Sequence, residues 1–316
     1  MFRKHTRRAA KAAFAISFGV ALLIGLTACG GGGGGNSSSN NTTSGSASKP
    51  TIVLGTKNFG EEYILGQLYG QALQAKGFKV VYKGSFGSSE LANVAIKNGR
   101  MNLYPEYTGV VAIDLAGKSP KSAAETYSIA QSFEQKQGLK LLKPTPFYDS
   151  DTFTMLTSTA QKLGVKTIGD MKGHPFSFAA LPECDKRITC ILGFKQVYGL
   201  SNIKFVPDSS ISVYTLLDRG TVTAGDGFST DPQQLSKKYT ELTDTKHIYG
   251  FQNVAPVVSQ KLLKGSAGTL LQNTLNAVSA KLNLAAMRAM NKAYAINKQK
   301  PSHIAQVFLK ANGLAG

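Results

Sequence analysis

From Thr51 onward, apolar and polar positions follow two alternating periods. "TIVLG" (51–55) is a short apolar, β-branched run and reads as a strand. Asn58 with Glu61 three residues on has the spacing of a capping box. It predicts a helix from about Gly60 to Lys76, with Tyr63, Ile64, Leu68 and Leu73 near helical spacing and Gly77 as its stop. "FKVVYK" (78–83) is the next strand, "SSELANVAIKNG" (88–99) a helix closed by Asn-Gly, and "MNLY" (101–104) a third strand. This β-α-β-α-β order with glycine-marked connections predicts an α/β domain with a largely parallel sheet.

The rhythm restarts near Ala160. "TIGDMKG" reads as a short capped helix, "PFSFAA" as a strand and "RITCILGFKQVYG" (187–199) as a helix. The strand "IKFVP", the helix "SISVYTLLDRG" and the strand "TVTAGDGF" repeat the pattern, and after "NVAPVVS" only helices are expected, from about Ser266 to Leu309. The pattern predicts two α/β lobes: 51–155 with 256–316 as the first, and 156–255 as the second. The chain would cross near "DTFTMLT" and return near "VAPVV", leaving an interlobe cleft, a preferred place for a small molecule.

Within the first lobe, "RMNLYPEYTG" (100–109) carries the third strand into a turn bearing Tyr104, Pro105, Glu106 and Tyr107. Two tyrosines there either cover core or present their π-faces to a ligand. In such sheets ligands sit beyond the carboxyl ends of the strands, where both Lys57 and this turn fall.

The chain ahead of Thr51 has a different character. Arg3, Lys4, Arg7, Arg8 and Lys11 precede the apolar stretch "AAFAISFGVALLIGL" (12–26), the layout of an export signal over 1–28. Leu26-Thr27-Ala28-Cys29 resembles the lipobox of bacterial lipoproteins, in which the cysteine is lipidated. Residues 29–50, rich in Gly, Ser and Asn, predict a flexible tether. The expected location is the outer face of the cytoplasmic membrane, held by a lipid anchor.

Of three cysteines, lipidation of Cys29 leaves Cys184 and Cys190, which flank "DKRIT" and predict a disulfide in an oxidising compartment. A zinc site lacks partners, since only His174 is near in sequence. Of the 36 basic residues, removing the five in the leader leaves 31 against 18 acidic, a net charge of +13. No basic run after the leader exceeds two residues, so a solvated basic face is expected and no nucleic-acid partner.

Catalytic signals are weak. Outside the leader, His174, His247 and His303 are scattered, and "GSFGSSE" is not a nucleophile elbow. "AGKS" (116–119) lacks the first glycine of a phosphate loop, Ala112 standing in its place. The expectation is a non-enzyme with no cofactor and no metal.

Four separated stretches occur together and in order: "GTKNFGEEYILGQLYGQAL", "LYPEYTG", "PECDKR" followed by "YGL", and "STD" followed by "NVAPVV". In them the chain resembles the osmoprotectant-binding proteins of ABC importers, the ProX/OpuAC-like family for glycine betaine, choline or carnitine. The resemblance implies a type II periplasmic-binding fold, two lobes on a hinge, a quaternary-amine ligand and an ABC permease as partner. A monomer is expected. A trimethylammonium group has no N–H to donate, so aromatic faces suit it, each contributing about 0.5–2 kcal/mol.

Carried over by position, the resemblance assigns Tyr107, Phe153, Phe228 and Gln252 to the cation cage, with Asp151 beside it. Arg187 is assigned to a ligand carboxylate, and Lys57 to the ligand site as the lysine of the "KNF" entry. The family pattern is commonly four tyrosines, and Val110 stands where many members have a polar residue. These departures imply a weaker or wider cation site and a solute that need not be glycine betaine. Two rival readings remain: the same fold taking another amphipathic or aromatic small molecule, and a surface lipoprotein acting as sensor or adhesin without transport.

Overall fold

The structure, a computed structural model, describes residues 49–315 apart from Ser209. The leader, Cys29 and the tether up to residue 48 lie outside the described residues. The first lobe opens with β1 (Ile52–Thr56), α1 (Gly60–Ala75), β2 (Val80–Ser85), α2 (Ser89–Lys97) and β3 (Leu103–Tyr107). A π-helical turn, Val110–Leu115, and α3 (Ala123–Lys136) lead to β4 (Leu139–Leu141). The chain then crosses into β5 (Asp151–Leu156), α4 (Thr157–Leu163), β6 (Phe176–Ala180) and the 3-10 turn Pro182–Lys186. α5 (Ile191–Gln196), β7 (Ile203–Pro207), α6 (Val213–Asp218), β8 (Ala224–Phe228) and β9 (Tyr239–Leu242) complete the second lobe. The chain returns through β10 (Val254–Ser259) and ends in α7 (Gly265–Lys281), α8 (Leu284–Ala295) and α9 (Pro301–Ala311).

Two five-stranded sheets result, ordered β2-β1-β3-β10-β4 and β7-β6-β8-β5-β9. Each is mixed. β1 runs parallel to β2 and β3, and β6 to β7 and β8, while the crossing strands β5 and β10 run antiparallel to both their neighbours.

On the first sheet, Ile64, Leu65 and Leu68 of α1 pack with Leu271 and Leu275 of α7, Met287 of α8 and Ile304 of α9. Each fully buried aliphatic side chain contributes about 1.5–3 kcal/mol, enough to bind the C-terminal helices to the first lobe. Ala92 and Ile96 of α2 and Ala130 of α3 cover the other face. In the second lobe a phenylalanine-rich core lies beneath α5, and Leu216 and Leu217 of α6 cover the opposite face.

Four local expectations change. β5 pairs wholly within the second sheet, so the crossing falls before Asp151, and 151–155 do not join the first lobe. The third strand runs on through Tyr107, with Pro105 opposite Pro256, so two residues without an N–H share one rung of the ladder. The helix expected over 187–199 begins only at Ile191, because the preceding residues form the 3-10 turn and the disulfide loop. The Asn58–Glu61 capping box does not form: Phe59 is the N-cap without a side-chain bond, and the Glu61 carboxylate turns inward.

The two crossings run side by side. Tyr148 bridges Asn253, and the Asp149 N–H donates to the Gln252 carbonyl at 3.0 Å. This antiparallel pair of connections is the geometry of a two-stranded hinge.

An aromatic and charged cleft between the lobes

Lys57 follows the last residue of β1, where the strand delivers it to the cleft. Its ammonium is buried and pairs with Glu106, with Glu62 Oε1 at 3.8 Å, and donates to Ser89 Oγ at 3.2 Å. It also stands 4.1 Å from the Tyr107 ring centroid and 5.7 Å from that of Phe59. Tyr107 ends β3; its hydroxyl donates to Glu61 Oε1 at 2.8 Å. Phe59 lies 5.9 Å from Tyr107 and 5.9 Å from Phe228, nearly parallel to the latter at 10°. Three rings thus converge, two from the first lobe and one from the second.

Arg187 approaches from the disulfide loop. The Cys184–Cys190 bond closes that loop with a Cα–Cα distance of 5.3 Å. The Arg187 N–H donates to the Cys184 carbonyl at 3.3 Å, and its carbonyl accepts from Cys190 and Leu192 at 3.1 Å each. Its guanidinium crosses to α2 and binds both oxygens of Glu90, at 3.1 Å each. Next to it, Thr189 donates to Asp114 at 2.9 Å, a second polar tie between the lobes.

Carboxyl groups dominate the rest. Burial pushes Asp151 up to about 7 against the pull of the nearby Arg187 charge. Burial, with Asp151 adding to it, holds Asp226 well above the ordinary carboxylate range. Burial raises Glu62 to about 8, Lys57 opposing it, and raises Glu61 despite hydrogen bonds from Asn291, Thr230 and Tyr107. Thr230 Oγ1 lies 2.7 Å from Glu61 and 2.8 Å from Asp149, with one proton for the two, and burial drives Asp149 well up.

An interlobe cavity of about 50 Å³ is lined by Lys57, Tyr107, Asp151, Arg187, Phe228 and Gln252, six of the seven residues that the resemblance assigns. One water needs about 10–15 Å³ on this measure, so there is room for a few waters or one small solute. Gln252 lies in the hinge and is spent on backbone, accepting from the Val110 N–H at 3.0 Å and donating to the Tyr249 carbonyl at 3.2 Å.

Phe153 is the exception. It is fully buried 5.0–5.6 Å from Phe178, Phe194 and Phe176 and touches no part of the cavity. It shares a strand face with Asp151 but sits two residues further from the cleft end, about 6–7 Å deeper, where α5 covers the sheet. Phe59 and Asp226 also line the cavity. The signals for them were Phe59's place in "KNF", next to the expected helix start, and an aspartate between two glycines at a strand end.

The cysteine sulfurs are bonded to each other, so they are not free thiolates for a metal. Two α/β lobes, a paired crossing and a buried aromatic cleft define a two-lobed solute-binding protein of the type II periplasmic kind. Over residues 50–311 the sequence matches the substrate-binding domains of ABC-type glycine betaine transport systems, and the chain belongs to this family. It is therefore a binding subunit and not an enzyme. Proteins of this class work outside the cytoplasm, and among the described residues no helix is long and apolar enough to cross a membrane.

A glycine-betaine-binding protein of Pseudomonas aeruginosa is 29% identical over 286 residues, 85% of this chain and 90% of that protein. The fold is shared with a glycine betaine/carnitine/choline ABC transporter structure at TM-score 0.66 and 19% identity, covering 84% of this chain and 99% of that one. It is also shared with the lactococcal OpuAC closed on glycine betaine, at TM-score 0.61 and 17% identity, covering 84% and 97%.

Proposed function

We propose that the cleft captures a quaternary-ammonium solute of the glycine betaine, choline or carnitine type and delivers it to the permease of an ABC importer. The observation that carries this reading is the convergence of Phe59, Tyr107 and Phe228 from two lobes on one small buried cavity rich in carboxyl groups. A cation that cannot donate hydrogen bonds is held best by π-faces, and neighbouring carboxylates add to that attraction. Because the rings come from both lobes, a bound ligand favours closure, and the closed form is the one a permease can distinguish from the open form. Lys57, Tyr107, Asp151, Arg187 and Phe228 form the ligand site, Gln252 supports its hinge side, and Cys29 carries the lipid that keeps the domain at the membrane. The protein acts as a monomer.

The test is a thermal-shift and calorimetric screen of the mature domain against compatible solutes. A ligand at 100 times its dissociation constant stabilises by about 2.7 kcal/mol. Absence of any shift or heat with quaternary amines, alongside a response to another solute class, rejects the reading.

A further inference from the structure

Both basic groups of the cavity are already occupied by the chain's own carboxylates. Lys57 is enclosed by Glu106, Glu62 and Ser89, all buried. Arg187 offers its fork of donors to Glu90, through Nε to one oxygen and Nη2 to the other. A bidentate guanidinium–carboxylate pair is the arrangement a ligand carboxylate would itself seek. Asp149, Asp151, Glu183 and Asp226 also line the cavity, and Asp151, Glu183 and Asp226 compete with an entering carboxylate for the same guanidinium.

The two occupied bases differ in one respect. The side chains of Lys57 and its two acidic partners are at most 3% exposed, whereas the Glu90 side chain is 42% exposed on the first turn of α2. The Lys57 cluster is part of the interior. Glu90 is a partly solvated group that reaches across the cleft to the facing lobe, and only it can be exchanged for a ligand group at low cost. Glu90 also has its carboxyl held below the ordinary range, the bond and charge of Arg187 overcoming the opposing effect of burial.

We infer that Glu90 sets ligand selectivity: by occupying the Arg187 fork across the cleft, it makes the site one for quaternary-ammonium cations without a carboxylate, in preference to zwitterions. This rests on the quaternary-ammonium reading above and narrows it. A carboxylate-free cation leaves the Glu90–Arg187 pair intact as a tie between the lobes and lies beside carboxyl groups whose ionised form it favours. A betaine has to break that pair, and the closed form loses the tie as the ligand gains the arginine.

The experiment is calorimetric titration of the mature domain and of Glu90→Gln with choline and with glycine betaine. The substitution is isosteric and lies on the surface of α2, away from the residues of that helix that enter the core, so the fold is retained. Expected for the wild-type domain is choline bound at least tenfold more tightly than glycine betaine. In Glu90→Gln the fork is released from its charged partner, and the ratio of betaine affinity to choline affinity rises about tenfold. Wild-type protein that binds betaine as tightly as choline, or an unchanged betaine-to-choline ratio in the variant, overturns the inference while leaving the ligand class standing. If neither protein binds either compound, the quaternary-ammonium reading falls and this inference falls with it.

Discussion

The Lys57 ammonium sits 4.1 Å from the centroid of the Tyr107 ring, so the ring that resemblance assigns to a ligand cation already faces a cation of the protein. The same tyrosine donates its hydroxyl to the buried Glu61. Face and hydroxyl therefore have separate duties, and two substitutions separate them. Tyr107→Phe keeps the face and leaves Glu61 short of a donor, so it lowers stability by about 1–3 kcal/mol with little change in affinity. Tyr107→Leu removes the face as well and weakens quaternary-ammonium binding by about 1–2 kcal/mol, roughly 5–30-fold. Denaturant unfolding and titration read the two effects, and unchanged affinity in Tyr107→Leu shows the ring to be core.

Phe59 and Phe153 make the opposite pair. Phe59→Leu weakens ligand binding by about 0.5–2 kcal/mol, since the ring links Tyr107 of one lobe to Phe228 of the other. Phe153→Leu leaves the dissociation constant unchanged and lowers stability by about 1–2 kcal/mol, a loss of packing in the second core. Affinity that follows Phe153 and ignores Phe59 reverses the assignment.

These pairs show how far the sequence was legible. The lobes were readable because strand and helix periods differ and each turn is marked. The places of Lys57, Tyr107 and Arg187 on the cleft were readable because each lies in a short motif at a strand end or in the cysteine loop. The depth of Phe153, outside the cavity, was not readable because strand alternation gives only the face of a side chain, and depth depends on α5, 38 to 43 positions downstream. Glu90 carried no signal: its partner is 97 residues away on the facing lobe, and only the folded chain brings them together. Glu61 was read as a cap because local spacing allowed it, yet tertiary donors from Tyr107, Thr230 and Asn291 take its carboxylate.

The disulfide offers a test of local against global effect. A loop this short limits its entropic contribution to about 2–2.5 kcal/mol, while its closure fixes the backbone that carries Arg187. Reduction, or Cys184→Ser with Cys190→Ser, lowers the melting temperature modestly and changes the dissociation constant for betaine more than fivefold. Thiol titration of exported, non-reduced protein that finds both cysteines free rules the bond out.

Cys29 lies outside the described residues, and its role is read from "LTAC" and the glycine tether. Cys29→Ser leaves the chain unprocessed or releases it from the membrane fraction. Membrane fractionation with intact-mass measurement checks this, and an unchanged fraction and mass reject the anchor.

The buried carboxyl groups give the protein a pH dependence whose sign follows from burial. Asp151 is raised from an ordinary 3.8 to about 7, Asp114 to about 6, and Glu62 and Glu134 from 4.5 to about 8, burial being the largest cause in each. For each, the folded state keeps a proton that the unfolded chain has released between its ordinary pKa and the raised one. The unfolded state thus binds fewer protons across that window, and stability falls as pH rises from about 4 to 8. Asp151 faces Arg187, Asp114, Asp226 and Lys57, and a bound cation adds positive charge beside it and draws its pKa down. Cation binding therefore releases protons near pH 7, and affinity rises with pH through that value. The expected record is a ligand-free melting temperature that declines from pH 5 to 8, and a ligand-induced shift that grows over the same range. Titrations in two buffers of different ionisation enthalpy then give different heats, the difference reporting the protons released. Asp151→Asn removes its share of both effects, and a variant with the same proton release and the same pH profile as wild type shows that another carboxyl group carries them.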